Sequence, residues 1–248
     1  DGLFFSSNTL NLSNAASIRG GTRILLSEYA TGLLGAGTGI NASAALSKYV
    51  TPVIEFRTAG AMLIDGPLNF AGTIILTGHY RYLMSNSVTG SITANALGIN
   101  HFDGSVNINN ALGNVNVIAA KAPYGSFSYS QPGDFSVGSV SWGGKPETLF
   151  TGINSLFPGR GAVSLSSSSG SISIDSILSL SSLTTLTPNG SVNLNSTVAF
   201  INDGSSGLIG GNGMLNLSGG GSYRTVFSDG WSSKESISIK PIFSLAKM

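Results

Sequence analysis

A two-residue alternation, repeated along the chain, constrains its fold more than any other feature. Gly104-Ser105-Val106-Asn107-Ile108-Asn109 reads polar, apolar, polar, apolar, and so do Gly113-Asn114-Val115-Asn116-Val117 and Gly170-Ser171-Ile172-Ser173-Ile174. Gly190-Ser191-Val192-Asn193-Leu194-Asn195 and Met214-Leu215-Asn216-Leu217 repeat the pattern. Successive side chains of a strand point to opposite faces, so each unit is expected to be a short strand with one buried and one wet face. The wet face is built from Ser, Asn and Thr instead of Lys and Glu. Short neutral side chains stack across neighbouring strands without the repulsion of like charges placed side by side.

Turn signals separate these units. Asp103-Gly104, Asn189-Gly190, Asp203-Gly204, Asn212-Gly213 and Asp229-Gly230 are pairs that favour tight turns with a positive φ. The glycines that open the units recur without a fixed step, where a regular solenoid would show one. The expected fold is therefore all-β, either a β-helix or solenoid-like stack with variable loops, or a β-sandwich of many short strands. The region near residues 22–50 differs. Ile24-Leu25-Leu26, Tyr29-Ala30 and Leu33-Leu34 recur at helix-like spacing, and a short helical segment is expected there.

Composition supports a folded chain. Only 9% of residues are charged, against about 25% in typical domains. Disorder requires low hydrophobicity with high net charge, whereas mean hydropathy here is +0.26 and the net charge is +1. The 248 residues suffice for a single β-rich domain spanning 1–248, with a soft boundary near 146–161 where Pro and Gly are dense. The 12 basic residues are scattered, which argues against a nucleic-acid partner and against a polybasic membrane anchor. No apolar run approaches the roughly 20 residues of a spanning helix, so no transmembrane segment is expected. There is no cysteine, hence no disulfide and no thiolate metal site. The chain begins at Asp1, which fits a processed form or a fragment.

Catalytic constellations do not emerge, and the chain is expected not to be an enzyme. Its two histidines, His79 and His101, read as solvated residues at strand ends, and no G-x-S-x-G elbow occurs. They lack a third His or Cys at ligand spacing. Gly210-Gly211-Asn212-Gly213 resembles one calcium-binding β-helix repeat but lacks its Asp, and Gly35-Ala36-Gly37-Thr38-Gly39 reads as a glycine loop without the Lys of a phosphate cradle. No cofactor or metal is expected. Asp65, Asp103, Asp134, Asp175 and Asp203 mostly flank turn residues, as turns demand. A carboxylate pair formed in space is the remaining route to polysaccharide cleavage. Tyr124, Phe127, Tyr129, Phe135 and Trp142 form the densest aromatic cluster, expected to be core and edge packing ahead of a sugar-stacking platform.

Two further sets of residues are candidates. Sequons at Asn11, Asn41, Asn189, Asn195 and Asn216 are glycosylation candidates if the chain is secreted by a glycosylating organism. Leu3, Phe4, Phe5, Leu10 and Leu12 near one end, and Ile237, Ile239, Ile242 and Phe243 near the other, read as apolar terminal strands. Such strands are assembly candidates, because an uncovered edge invites a partner.

The recurrent Gly-Ser-Val-Asn-Ile-Asn and Gly-Ser-Ile-Ser-Ile units between about Ser91 and Gly221 resemble the β-helical exoproteins of the filamentous haemagglutinin type. The resemblance implies a right-handed β-helix, an extracellular location and a role in adhesion. That family's N-P-N-G secretion sequence is absent; Thr187-Pro188-Asn189-Gly190 is nearest. The functional expectation is an extracellular, cell-surface or virion-surface structural or adhesive protein. Its partners would be copies of itself, as a homo-oligomer or polymer, or a host-surface or glycan ligand. The alternatives are a self-assembling subunit of a virion or filament, and a polysaccharide-binding or -cleaving β-helix protein.

Overall fold

The computed structural model describes residues 2–7, 18–19, 23–28, 32–34, 46, 49–78, 83–101, 104–121, 125–141, 149–154, 163–175, 178–180, 183–188, 192–194, 198–200, 214–219, 223–225 and 237–241. The larger sheet follows chain order through Gly2–Ser7, Arg23–Glu28, Val53–Thr58, Pro67–Gly78, Ser91–His101 and Asn114–Lys121. It continues through Phe135–Val137, Ile172–Ile174, Val192–Leu194 and Tyr223–Thr225. The smaller sheet also follows chain order, through Gly32–Leu34, Met62–Ile64, Met84–Asn86, Val106–Asn109 and Phe127–Gln131. It ends with Val163–Ser167, Leu183–Pro188, Met214–Gly219 and Ile237–Pro241. All these pairings are parallel, which requires a long return connection between neighbours. Each sheet supplies the return for the other, so the fold is a parallel β-solenoid and not a sandwich.

Register reveals the coil. Ile54 lies beside Ile74, Val106 beside Phe127 and Leu68 beside Ile92, so these circuits take 20, 21 and 24 residues. Longer circuits of 30, 36 and 31 residues run from Ile24 to Ile54, Phe127 to Val163 and Leu183 to Met214. Inward positions stack into ladders. Ile24, Ile54, Ile74, Leu97, Ile118 and Val137 follow one another in register, and all are buried. Each such side chain contributes roughly 1.5–3 kcal/mol relative to leaving it in water.

The long strands of the larger sheet bend part-way. At the bend two consecutive residues face outward: Asn95 is exposed while Ala96 joins an outer apolar cluster, and Asn116 and Val117 repeat the arrangement one coil on. Past the bend, Phe135–Val137 pairs with the middle of Asn114–Lys121 and Ile153–Asn154 with its end. Between these two strands the chain leaves at Gly138 and rejoins at Gly152, forming an antiparallel hairpin of Ser139–Ser141 with Leu149–Thr151. Gly152 has φ 68°, a left-handed conformation that favours glycine.

Gly190, Gly204, Gly213 and Gly230 of the expected positive-φ turns lie outside the described residues, and other corner glycines are required by the stacking of the coils. A Cβ on Gly90 would strike the Ile64 carbonyl, one on Gly113 the Ile92 carbonyl, and one on Gly125 the Gly104 carbonyl. Close stacking of one coil on the next excludes any side chain at these positions.

The helical expectation near 22–50 is corrected. Arg23–Glu28 is a strand paired with Gly2–Ser7 on one side and Val53–Thr58 on the other, and Gly32–Leu34 and Tyr49–Val50 are strands too. Leu25 is buried on the face opposite Ile24 and Leu26, so the run is apolar on both faces. Strands buried on both faces lose their alternation and read as continuous apolar runs. The strand pairs Phe127–Gln131 with Val163–Ser167 and Phe135–Val137 with Ile172–Ile174 carry both sheets across 146–161.

Candidate functional site

The outward positions form columns that run along the solenoid. On the smaller sheet Asn107, Ser128 and Ser164 follow one another in register. A second column contains Asn109, Ser130 and Ser166, with the Ser130 hydroxyl donating to Asn109 Oδ1 at 3.0 Å. On the larger sheet, before the bend, Asn69, Thr93 and Asn114 form one exposed column. Ala71, Asn95 and Asn116 lie beside it, and Asn116 Nδ2 donates to Asn95 Oδ1 at 3.2 Å. These residues line a shallow groove of about 520 Å³, bordered by partly buried Phe70. A second groove, of about 420 Å³, runs beside Asn109, Ser130 and Ser166 and reaches Ala111 and Pro132 at the corner. Both are lined by neutral residues. Neighbouring parallel strands place equivalent side chains roughly 4.7–4.9 Å apart, so each column repeats its donors and acceptors at that interval.

A buried polar ladder fixes the corner that leads from the smaller sheet to the larger. Asn110 is fully buried; its Oδ1 accepts from the Ile92 N–H at 2.7 Å, and its Nδ2 donates to the Ile92 carbonyl at 2.8 Å. One coil on, Gln131 repeats this with Val115, accepting at 2.9 Å and donating at 3.1 Å. Ser167, in register with Gln131, donates to the Gly133 carbonyl at 2.8 Å and accepts from the Gly170 N–H at 2.8 Å. Side chains thus satisfy the backbone groups that each corner takes out of the sheet, as buried polar groups require. Tyr129 joins the ladder, donating to Gln131 Oε1 at 2.6 Å and accepting from Asn110 Nδ2 at 3.2 Å. Burial raises its hydroxyl well above the ordinary tyrosine value, and the Asn110 hydrogen bond opposes the shift. Burial alone raises Tyr49 to about 12.

The described members of the aromatic cluster, Phe127, Tyr129 and Phe135, are buried core, with the last two rings edge to face at 5.3 Å. Tyr124 and Trp142 lie outside the described residues. His101 is corrected: it is 1% exposed at the end of its strand, its ring over Gly78, where a Cβ would meet Nδ1 at 2.6 Å. A glycine in the neighbouring coil makes room for the ring, which the local sequence around His101 does not disclose. His79, Asp103, Asp203 and both glycine loops lie outside the described residues. Asp134 is exposed and accepts from the Ser171 N–H at 2.6 Å, and Asp175 is exposed. Among the described residues no group of three or more His, Cys, Asp or Glu is placed to hold a metal.

Leu3, Phe4 and Phe5 lie in the bordering strand Gly2–Ser7 of the larger sheet, and Ile237 and Ile239 in the bordering strand Ile237–Pro241 of the smaller. Leu10, Leu12, Ile242 and Phe243 fall outside the described residues. So do the sequons at Asn11, Asn41, Asn189 and Asn195, whereas Asn216 lies in the strand Met214–Gly219. Sequence reasoning missed Glu55, which is fully buried on the outer side of its strand. Its Oε1 accepts from Arg57 Nη2 at 2.9 Å and from the Thr77 hydroxyl at 2.9 Å. The signal was its place in an otherwise apolar strand, Val53-Ile54-Glu55-Phe56. Among the described residues no helix is long and apolar enough to cross a membrane.

Comparison with protein-family models, with curated proteins and with solved structures finds no match for this chain.

Proposed function

We propose that this chain is a non-catalytic structural and adhesive protein of the extracellular space or of a cell or virion surface. The observation that carries the reading is the in-register repetition of neutral Asn, Ser and Thr on the outer faces of successive coils, as in Asn107, Ser128 and Ser164. A solenoid offers the same chemistry at every rung over an extended surface, which suits contact along a length better than turnover in a pocket. The likeness of the Gly-Ser-Val-Asn-Ile-Asn units to filamentous haemagglutinin-type exoproteins adds to this reading and brings secretion and adhesion with it. Beads coated with the chain test it against cell layers and glycan-coated surfaces. The expected result is saturable adhesion that soluble chain competes away; turnover of a polysaccharide without adhesion would contradict it.

A second reading is a self-assembling subunit, favoured by the edges of the stack. Among the described residues, Gly2–Ser7 and Ile237–Pro241 each have a strand on one side only. A strand from another copy, or from further coils of a longer chain, would complete either edge by main-chain pairing. Polymers that persist after deletion of residues 1–11 would rule out strand addition at the first of these edges.

A further inference from the structure

We propose that the groove on the larger sheet, before its bend, binds a linear neutral polysaccharide lying along the solenoid axis, with one sugar unit per coil. The inference deepens the adhesive reading above and rests on it. Asn69, Thr93, Asn95, Asn114 and Asn116 are exposed along three successive coils and line the groove. A carboxamide both donates and accepts, so it pairs with a sugar hydroxyl in either role. The lining carries no charge, which leaves an anionic polymer without a counter-ion and lets a neutral one bind without stripping water from an ion. The strand spacing of roughly 4.8 Å is close to the advance of one pyranose in an extended chain, so a ligand that repeats along its length meets equivalent groups at each coil. The Asn116 to Asn95 hydrogen bond holds two of the amides in place before any ligand arrives. A second copy of this chain is the other occupant to consider, but the amide columns lack the apolar centre that stable protein interfaces use.

Calorimetric titration of the full chain with cellohexaose, mannohexaose and hexagalacturonate, at low and high salt, provides the test. At least one neutral hexasaccharide is expected to bind about tenfold or more tightly than its disaccharide, because units bound in series add. Its affinity should be independent of salt. Replacing Asn95 and Asn116 together by Ala should weaken binding by about tenfold or more, the worth of one or two good hydrogen bonds. Replacing Ser141 and Thr151 by Ala, exposed on the inserted hairpin and outside both grooves, should leave it unchanged, with circular dichroism confirming that both variants stay folded. The proposal is overturned if neither neutral hexasaccharide binds, if only hexagalacturonate binds and does so in a salt-sensitive way, or if both variants lose affinity equally. Self-association that the Asn95 and Asn116 changes abolish would assign the groove to a second copy instead. Bead adhesion measured in parallel separates the two readings. Adhesion that survives without glycan binding refutes the ligand alone, and absence of both refutes the adhesive reading as well.

Discussion

The two limbs of the larger sheet share the same strands and present opposite chemistry. Before the bend, Thr93 and Asn95, and one coil on Asn114 and Asn116, stand exposed. After it, Ala96, Gly98 and Ala119 are small and buried, and Val140 and Phe150 of the inserted hairpin lie over them together with Ile75 and Val53. The difference lies in what the chain inserts between circuits. One limb is left open and is polar; the other is roofed by the hairpin and is apolar beneath it. A solenoid therefore carries one core inside its coils and acquires another wherever an excursion folds back on its outer wall.

The largest expected effect comes from removing the roof. Phe150→Ala should destabilise the protein by about 3 kcal/mol, through lost burial and a cavity, as read by urea unfolding. A change near zero would mean that the hairpin is not docked. Next comes overfilling the space beneath it. A Cβ on Gly98 already meets Val140 Cγ1 at 3.2 Å and Phe150 Cδ2 at 3.3 Å, so Gly98→Leu should cost about 1–3 kcal/mol. Ala71→Leu, on the open limb, should stay within about 0.5 kcal/mol. Equal costs at the two positions would erase the contrast between the limbs.

Alkaline pH sets the interior against both outer faces. Tyr49 and Tyr129 remain protonated in the fold at pH values where the unfolded chain ionises. Their folded values are raised, so the stability they contribute is complete below the ordinary value of about 10 and is lost as pH rises through the folded values. Unfolding free energy should be flat approaching that value and then fall by about 1.4 kcal/mol per pH unit for each of the two tyrosines. A rise in stability above it would contradict their burial. The smallest effect is expected at the open amides: Asn116→Ala should cost less than about 0.5 kcal/mol. A larger loss would make the Asn95–Asn116 pair a structural brace instead of a binding surface.

The sequence made part of this contrast legible. Val106 and Ile108, or Val163 and Leu165, alternate with Asn and Ser as half-buried strands must, and the structure places the apolar members inside and the polar ones outside. Alternation failed where the strands bend, since Asn95 with Ala96 and Asn116 with Val117 each put two consecutive residues outward. It also failed at Ile24-Leu25-Leu26, where burial on both faces imitates a helix. The coil length was hidden by its own markers. Gly104 and Gly125 precede strands of one sheet while Gly90, Gly113 and Gly170 precede strands of the other, so consecutive spacings mix two half-circuits. Taking alternate glycines gives Gly104 to Gly125, a step of 21 that matches the Val106 to Phe127 register. The roof over Gly98 and the burial of His101 stayed out of reach because both depend on residues in other coils.

The central claim is that residues one circuit apart are neighbours while closer ones in sequence lie on different faces. Because the chain has no cysteine, pairs introduced by substitution can be labelled with pyrene without interference. Asn107→Cys with Ser128→Cys places two labels in register on adjacent strands of the smaller sheet, 21 residues apart. Asn107→Cys with Asn116→Cys places them nine residues apart on different sheets. The solenoid predicts strong intramolecular excimer fluorescence from the first pair and little from the second. The opposite ranking, with the pair closer in sequence giving the excimer, would contradict it.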